Sequence, residues 1–314
     1  MIPRRLFISP RELRARGVLG INRRNAEFIL PGNPRAFYPR VDDKLLTKQL
    51  CEPHGIPVPK TYLVIERQGD LRKFSQLVGD HQQFVIKPCK GAEGRGIVVV
   101  AAHDRDHFTD AGGETWTLPE LRYHLETLLA GLYSLAGQPD RVLVEQRIIR
   151  HPVFEPIAVG GTPDVRVVLY RGVPVMAMVR LPTHASRGRA NLHQGAVAAG
   201  IDLRTGETFG GVCKDRTITH HPDTHAPIAG VVIPHWLDLL AAAMKLADLL
   251  ELAYLGVDFV LDADHGPVVL EANARPGLAI QIANRRGLLP RLHQVDAATT
   301  GKLTPAARLQ LLQS

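Results

Sequence analysis

Residues 256–278 read GVDFVLDADHGPVVLEANARPGL and predict two short β-strands joined by a polar turn. GVDFVL is apolar and β-branched, DADHG has the composition of a turn, and PVVLEAN resumes a strand. Side chains two residues apart on a strand share a face, so Glu271 and Asn273 point the same way, and Asp258 can face them across the hairpin. Two carboxylates and an amide oxygen are hard ligands that suit Mg²⁺. The stretch therefore predicts a metal site, with a surface hairpin of solvated acids as the alternative.

The composition of the 314-residue chain is that of a globular protein. Apolar residues make up 45% and charged residues 22%, which excludes disordered and fibrous classes. The length allows one large domain or two lobes. No apolar run reaches about 18 residues and the N-terminus has no apolar signal region, so we expect neither a membrane span nor secretion. Cys51, Cys89 and Cys213 form no C-x-x-C pair, which favours a cytoplasmic location.

The net charge of +7 arises in residues 1–40, which hold nine arginines and two glutamates. We refer to residues 1–40 as the arginine-rich extension. The rest of the chain carries equal numbers of acidic and basic residues. Such an extension predicts an acidic partner, which could be a polypeptide, a nucleic acid or a lipid headgroup surface. The alternative is an arginine-rich helix and loop that are solvated or paired against the rest of the chain.

A lysine and a glycine-rich loop suggest phosphate binding in residues 82–101, QQFVIKPCKGAEGRGIVVVA. Lys87 ends an apolar strand, and its ammonium could bind an anion together with backbone N–H groups of the loop 91–96. The loop matches neither the P-loop nor the Rossmann pattern, so taken alone it favours a structural turn. Apolar periodicity predicts helices over residues 118–136 and 234–254.

Further polar residues lie at the ends of predicted strands. Glu145 closes the strand VLVE, where it could accept a hydrogen bond from an adenine amino group while the backbone up to Ile148 meets the ring edge; the alternative is a surface acid. Asp164 and Arg166 share a strand face, and Arg180 lies on the partner strand. Two converging guanidiniums suit a reactant with carboxylate or phosphoryl charge, and a structural Asp–Arg pair is the alternative.

Two polar segments further along the chain give weaker signals. Asn191 and His193 lie in SRGRANLHQGA, residues 186–196, and could line the same pocket, although a lone histidine is more often structural. Residues 220–225, HHPDTH, contain three histidines in a proline-containing turn. They lack a complete ligand set for a metal, so we predict a loop.

The order of these motifs resembles the ATP-grasp superfamily, and within it the ribosomal-protein-S6 glutamate ligase-like branch, also called alpha-L-glutamate ligase-like proteins. The matching motifs are DDKLLTKQL, FVIKPCKGAEGRGI, VEQRI, DVRVVL, RANLHQGA, and GVDFVL followed by LEANARPG. The resemblance implies an α+β fold whose two lobes clamp a nucleotide. The implied segments are the extension 1–40, an ATP-grasp domain 41–295 with lobes at about 41–144 and 145–295, and a C-terminal tail 296–314.

The resemblance also implies roles for individual residues. Phosphates of ATP would be contacted by Lys44 and Lys87 and covered by the loop with Gly91, Gly94, Arg95 and Gly96. Adenine would be held by Glu145 and Ile148. Mg²⁺, or Mn²⁺, would be bound by Asp258, Glu271 and Asn273. The reacting carboxylate would lie near Arg166, Arg180 and Asn191.

The activity that the resemblance implies is that of an ATP- and Mg²⁺-dependent carboxylate–amine ligase. Such an enzyme would add glutamate or another amino acid to a peptide or small acceptor through an acylphosphate, releasing ADP and phosphate. The alternatives are an ATP-grasp enzyme with a different nucleophile, of the sugar-transfer-associated type, and a nucleotide-binding module without ligation. A homo-oligomer is compatible with each of these.

The chain departs from the resembled family in two places. Many such ligases carry a sizeable domain before the first lobe, whereas only about 40 arginine-rich residues precede Lys44 here. Arg275 stands where the glutamate ligases tend to have a small residue. Its guanidinium either binds the carboxylate of the incoming amino acid or braces the turn.

Overall fold

The computed structural model describes residues 8–91, 94–104, 106–134, 137–214, 216–298, 301 and 303–313. The helices of these residues are α1 (Pro10–Ala15), α2 (Ile21–Arg23), α3 (Pro39–Asp42), α4 (Lys44–Cys51), α5 (Leu71–Asp80), α6 (Leu118–Leu129), α7 (Trp236–Leu250), α8 (Ile280–Ala283), α9 (Leu289–Ala298) and α10 (Pro305–Gln313). A π-helix follows α2 over Arg24–Ile29, and short 3-10 helices cover Arg35–Phe37, Glu52–His54, Gln68–Asp70, Pro152–Ile157 and Leu192–Gln194.

The strands of the described residues form two antiparallel sheets. The strands are β1 (Thr61–Ile65), β2 (Phe84–Pro88), β3 (Val98–His103), β4 (His107–Asp110), β5 (Thr115–Thr117), β6 (Val142–Glu145), β7 (Asp164–Tyr170), β8 (Val173–Leu181), β9 (Val197–Ile201), β10 (Thr208–Cys213), β11 (Arg216–Ile218), β12 (Tyr254–Asp262) and β13 (Gly266–Asn273). The first sheet has the order β1-β6-β2-β3-β4-β5, and the second has the order β11-β10-β9-β8-β7-β12-β13. Each sheet is the framework of one lobe.

The first lobe buries one face of its sheet under α5 and α6. Phe74 on α5 packs edge-to-face on Phe84 of β2, with ring centroids 5.8 Å apart. Helix α6 begins with a capping box in which Thr117 accepts a hydrogen bond from Glu120 N and Glu120 accepts one from Thr117 N. Such a cap stabilises a helix by about 1 kcal/mol, so the sequence T-x-x-E defines where α6 starts.

The second lobe buries both faces of its sheet. Helix α7 packs on one face with apolar residues such as Leu239, Ala243 and Leu246. The other face carries an apolar cluster that includes Met178, Ile280 and Leu292. The predicted hairpin of residues 256–278 is confirmed, because β12 and β13 pair antiparallel with Asp258 opposite Glu271.

The described part of the arginine-rich extension packs against the second lobe. Leu19, Phe28 and Ile29 are buried in its apolar cluster, and buried Arg24 donates a hydrogen bond to Pro276 O at 2.7 Å. Arg11, Arg14 and Arg16 are exposed. The buried residues of this segment therefore contact the rest of the chain, as the alternative reading expects. An acidic partner for the exposed arginines stays a prediction.

The C-terminal residues also pack on the second lobe. The Arg308 side chain of α10 is buried and donates to both carboxylate oxygens of Asp248 on α7, at 2.8 and 3.0 Å. Leu312 is buried nearby in the α7 cluster. No helix among the described residues has the length and apolarity that a membrane span requires.

Asn33 ties the extension to the hairpin, and we expect Asn33→Ala to lower the free energy of unfolding by about 2–3 kcal/mol. The buried amide accepts from Tyr254 N at 2.9 Å and donates to Tyr254 O at 2.6 Å. Alanine would leave these two backbone groups without their partner. Urea unfolding measures the effect, and exposed Asn22→Ala serves as the control; equal losses in the two variants would contradict this role.

Candidate functional site

A cavity between the two lobes brings together many of the predicted residues. Its lining comes from the start of α4, the end of β2, the glycine-rich loop and β13, and consists of Lys44, Lys87, Pro88, Gly91, Gly94, Arg95, Ile97 and Glu271. Ala92 and Glu93 of the predicted loop lie outside the described residues. Gly96 ends the loop with φ +73°, and a Cβ there would collide with Leu128 of α6, so this end of the loop requires glycine.

Lys44 joins the first lobe to the second at this cavity. Its ammonium donates to Gly91 O and lies 3.8 Å from Glu271 Oε2. The backbone holds it there, because Lys44 N donates to Cys89 O at 2.9 Å and the carboxylate of Asp43 caps α4 by accepting from Leu45 N at 3.0 Å. A cation, a loop carbonyl and a carboxylate of the opposite lobe thus meet at one point.

Behind the cavity, two buried lysines share the carboxylate of Glu145. Lys87 forms an ion pair with Glu145 Oε1, and Lys48 Nζ donates to Glu145 Oε2 at 2.7 Å. All three residues are at most 5% exposed. Burial lowers the pKa of Lys48, with the Lys87 charge adding to the effect and Glu145 opposing it. Two ammoniums against one carboxylate leave surplus positive charge beside the cavity, which suits phosphate.

Lys48 is a residue that the sequence reasoning missed. It lies on α4 one turn after Lys44, a spacing that places two lysines on neighbouring positions of one helix face. That spacing was the available signal. For Glu145, the alternative of a surface acid is wrong because the residue is 2% exposed, whereas its contact with adenine stays a prediction.

Ile148 lies in the segment that crosses from the first lobe to the second. Gln146 N donates to Lys60 O at 2.8 Å on the first-lobe side. Ile149 N donates to Asp262 Oδ2 at 2.9 Å on the second-lobe side. The crossing is therefore fixed at both ends, and the predicted adenine contact of Ile148 stays a prediction.

The second lobe holds a buried cluster of two carboxylates and two guanidiniums. Arg166 donates to both oxygens of Asp258, with Nε to Oδ1 at 2.6 Å. Arg180 donates to Asp258 Oδ2 at 2.9 Å and also to Asp164. The sheet register produces this arrangement, since Asp164 lies opposite Arg180 on β8, and Asp258 lies opposite Arg166 on β7. The alternative of a structural Asp–Arg pair is thus present and extends to four residues, whereas a contact of the two guanidiniums with a reactant stays a prediction.

The two carboxyl groups of this cluster have opposite pKa shifts. Burial favours a higher pKa for Asp258, but Arg166 and Arg180 outweigh burial and lower it to about 2. Burial raises the pKa of Asp164 to about 6. The Arg180 charge lowers this pKa, and the Asp258 charge raises it further. Asp258 is thus an anion at neutral pH, and its charge is largely neutralised by the two arginines.

The predicted metal donors Asp258, Glu271 and Asn273 supply oxygen atoms, which are the ligands that Mg²⁺ prefers. The Glu271 side chain is 34% exposed toward the cavity side of β13, and Asn273 Nδ2 donates to Glu271 Oε1 at 3.3 Å. Asp258 accepts three arginine hydrogen bonds, and its carboxyl group also lies within hydrogen-bond reach of the Glu271 carboxyl group, where a cation could bridge the two. Glu271 and Asn273 therefore fit as oxygen donors, and Asp258 fits as a further oxygen donor beside Glu271. Among the described residues, no group of three or more His, Cys, Asp or Glu side chains has an arrangement that could hold a metal ion.

The other predicted residues lie outside the cavity lining. Asn191 is on the β8–β9 connection, where its Oδ1 accepts from the backbone N–H of exposed His193 at 3.0 Å. The Arg275 guanidinium lies over the Tyr38 ring, 5.0 Å from the centroid, which is a bracing contact. The segment 220–225 forms the predicted loop, with buried His221 Nε2 at 3.1 Å from Pro182 O.

The sequence is similar to a known protein family and to named bacterial proteins. A family model described as sugar-transfer-associated ATP-grasp matches residues 23–297. A "probable alpha-L-glutamate ligase" from Trichodesmium erythraeum is 27% identical over 250 residues, which are 80% of this chain and 61% of that protein. A protein of the same name from Aliivibrio salmonicida is 25% identical over 280 residues, 88% of this chain and 71% of that protein. The chain thus spans about three fifths of the length of the first relative.

The structure of this chain is also similar to solved structures of other proteins. The biotin carboxylase domain of Hydrogenobacter thermophilus 2-oxoglutarate carboxylase, in complex with magnesium ADP, is 15% identical with a TM-score of 0.50 over 85% of this chain and 48% of that chain. The D-alanine–D-alanine ligase from Bacillus anthracis, in complex with ATP, is 17% identical with a TM-score of 0.44 over 88% of this chain and 68% of that chain. The expected α+β fold is confirmed. Because the family model covers most of the sequence, this chain belongs to the sugar-transfer-associated ATP-grasp family.

Proposed function

We propose that this chain is an ATP- and Mg²⁺-dependent carboxylate–amine ligase that releases ADP and phosphate. The observation that carries the proposal is the cavity in which Lys44, Lys87 and the glycine-rich loop of the first lobe face Glu271 of the second. Cations and a loop on one side and oxygen donors on the other suit a magnesium–nucleotide complex. The relatives named probable alpha-L-glutamate ligase support ligation as the reaction class.

In the first step, a substrate carboxylate oxygen attacks the γ-phosphorus of ATP, the bond to the bridging oxygen breaks, and ADP leaves. Lys44 and Lys87 bind phosphate oxygens, and loop residues Gly91, Gly94, Arg95 and Gly96 cover them. Glu145 and Ile148 hold adenine. Bound by Glu271, Asn273 and Asp258, Mg²⁺ or Mn²⁺ would neutralise charge on the phosphates. The protein's part is mainly positioning and charge compensation.

In the second step, an amine attacks the acyl carbon of the acylphosphate, phosphate leaves, and the nitrogen loses a proton to give an amide. Arg166 and Arg180, whose guanidiniums also pair with Asp258 and Asp164, would donate hydrogen bonds to the reacting carboxylate, and Asn191 would contact it from the β8–β9 connection. Arg275 is exposed and carries the charge needed for the carboxylate of an incoming amino acid, while Tyr38 orients its guanidinium. We propose glutamate or another amino acid as the amine, and a peptide or small molecule as the acceptor.

A second candidate keeps the acylphosphate and changes the acceptor or nucleophile. The family match to sugar-transfer-associated ATP-grasp proteins favours an acceptor linked to a sugar. The same cavity and arginines would serve the phosphoryl step. The product mass separates the two candidates, because an amino acid and a sugar-linked group add different masses.

The test is ADP release from Mg-ATP by the purified protein. Each amino acid is supplied singly, with and without glutamate peptides and sugar-linked carboxylates, and products are identified by mass spectrometry. We expect release that depends on one amine and one carboxylate, with a product that has lost one water. Tight ATP binding without release in every mixture would instead support a nucleotide-binding module, and an absence of ATP binding would contradict all three functions.

A further inference from the structure

Among the described residues of the second lobe, four exposed lysines and arginines have a left-handed backbone conformation, and one of them, Arg171, forms an ion pair with Asp296. The other three, Arg187, Lys214 and Arg285, have φ values of +52°, +47° and +49°. The left-handed region costs a residue other than glycine about 1–3 kcal/mol unless contacts compensate. Yet none of the three side chains forms an ion pair with another residue that the structure describes. The backbone conformation belongs to hydrogen-bonded turns, such as those closed by Arg187 N to His184 O and by Arg285 N to Ile282 O, both at 3.0 Å, and the charged groups themselves extend from these turns.

The loop that carries Arg187 is held firmly. Thr183 and Ser186 are buried and exchange hydrogen bonds, with Ser186 N donating to Thr183 Oγ1 and Thr183 N to Ser186 Oγ, both at 3.0 Å. Gly188 packs against Gly161 so closely that a Cβ on Gly161 would collide with the Gly188 carbonyl. These contacts hold the backbone on both sides of Arg187, and the Arg187 side chain is exposed.

The side chains of Lys214 and Arg285 both lie beside strand β10, although Arg285 itself follows helix α8. Lys214 follows the last residue of β10, and the Lys214 Cε lies 3.6 Å from where a Cβ on Gly195 would be, beside the Arg187 loop. A guanidinium nitrogen of Arg285 lies 3.0 Å from the corresponding point on Gly210, which occupies an irregular part of β10 with φ +118°. Glycine at this position leaves room for the guanidinium over the sheet.

Strand register relates β10 to the Asp–Arg cluster. Arg180 pairs with Ala198 of β9, and Ala198 pairs with Val212 of β10. Neighbouring strands are about 4.8 Å apart, so the backbone of β10 at Val212, midway between Gly210 and Lys214, lies about 10 Å from the backbone of Arg180. A nearby acid, Asp223, already accepts a hydrogen bond from His184 N at 2.8 Å. We refer to Arg187, Lys214 and Arg285 together as the basic rim.

We propose that the basic rim binds further anionic groups of the acceptor, two strands away from the carboxylate that reacts at Arg180. The inference rests on the proposed function only in placing the reacting carboxylate there. Two guanidiniums and an ammonium suit carboxylate or phosphate oxygens, which Arg binds with two parallel hydrogen bonds. The substrate class is thus an extended acceptor with several negative charges, rather than a single neutral or monovalent group.

The test measures binding without ATP, so it is independent of ligation. Fluorescein-labelled tetraglutamate probes carboxylates, inorganic tripolyphosphate probes phosphate, and labelled tetraglutamine is the neutral reference. The variant Arg187→Gln/Lys214→Gln/Arg285→Gln is compared with Arg67→Gln/Arg72→Gln/Arg204→Gln, which removes the same charge from exposed positions elsewhere. Thermal unfolding verifies that both variants are folded.

We expect at least one anionic probe to bind the wild-type chain and to bind the rim variant at least tenfold more weakly, with the control variant within twofold of wild type. The tighter probe identifies carboxylate or phosphate as the distal group. Equal weakening in the two variants would mean attraction by net charge alone and would overturn the proposal. So would an absence of binding by both probes, even if ADP release with another acceptor then supports the ligase function.

Discussion

Replacing Glu271 by glutamine is expected to lower ADP release from Mg-ATP about 1,000-fold while the fold stays intact. Glutamine keeps the shape of the side chain but removes the exposed carboxylate that lies across the cavity from Lys44. A hard cation binds a neutral amide more weakly than a carboxylate, and each tenfold loss of rate corresponds to about 1.4 kcal/mol. A 1,000-fold lower rate therefore corresponds to a loss of about 4 kcal/mol in the stabilisation of the transition state for phosphoryl transfer. Steady-state kinetics at several Mg²⁺ concentrations measure it.

Glu207→Gln is the matched control for this variant. Glu207 is an exposed glutamate of the same lobe, away from the cavity lining. We expect it to retain the rate and the Mg²⁺ dependence of the wild-type chain. If Glu271→Gln released ADP at the wild-type rate with an unchanged Mg²⁺ requirement, Glu271 would not be a metal ligand, and the proposed mechanism would have to be abandoned.

The sequence was sufficient to predict the elements whose patterns are local. The β12–β13 hairpin follows from apolar runs around a polar turn, and the apolar period over residues 118–136 indicates α6. Helix α6 nevertheless ends at Leu129. Gly131 has φ +83° and packs so closely on the Gln138 carbonyl that a Cβ there would collide with it. A chain reversal of this kind depends on a contact seven residues away, which helical periodicity does not report.

The site was predicted by residue type and not by pairing. Arg166 and Asp258 are 92 positions apart, and Lys48 and Glu145 are 97 apart. Their contacts depend on the register of strands that are distant in the sequence, which a single sequence does not reveal. Asp258 was therefore predicted as a metal ligand without its two arginine partners, and Lys48 had no motif to mark it. Burial lowers the pKa of Lys48, and Arg166 and Arg180 outweigh burial and lower the pKa of Asp258, so both shifts depend on contacts that exist only in the folded chain.

The arginine-rich extension shows the same limit for charge patterns. Its composition gives the net charge but does not show that Arg24 is buried whereas Arg11, Arg14 and Arg16 are exposed. Leu19, Phe28 and Ile29 supply the apolar contacts that hold this segment on the second lobe. A few apolar residues among arginines are a weak signal for packing. The apolar surface that they cover belongs to elements about 250 positions later in the sequence, such as α8 and α9.

Replacing Glu145 by glutamine is expected to lower the free energy of unfolding by about 3–5 kcal/mol. The change leaves Lys48 and Lys87 buried and without the carboxylate that both now contact. Urea unfolding at pH 7 measures the loss, provided that the m-value is unchanged. The double variant Glu145→Gln/Lys48→Met removes one of the two stranded charges, so we expect it to recover at least half of the lost stability. Exposed Glu66→Gln, whose oxygen lies 3.9 Å from Arg141, is the control and should change little.

The pH dependence of the Glu145→Gln variant gives a second measurement. Burial already lowers the pKa of Lys48, and the substitution removes the Glu145 charge that opposes this shift. A lysine whose pKa is lower in the folded than in the unfolded state binds fewer protons when folded, so stability rises as the pH increases toward the unfolded pKa near 10. The deficit relative to the wild-type chain should therefore shrink between about pH 7 and pH 10. A deficit that stays constant over this range would show that lost packing, and not stranded charge, destabilises the variant.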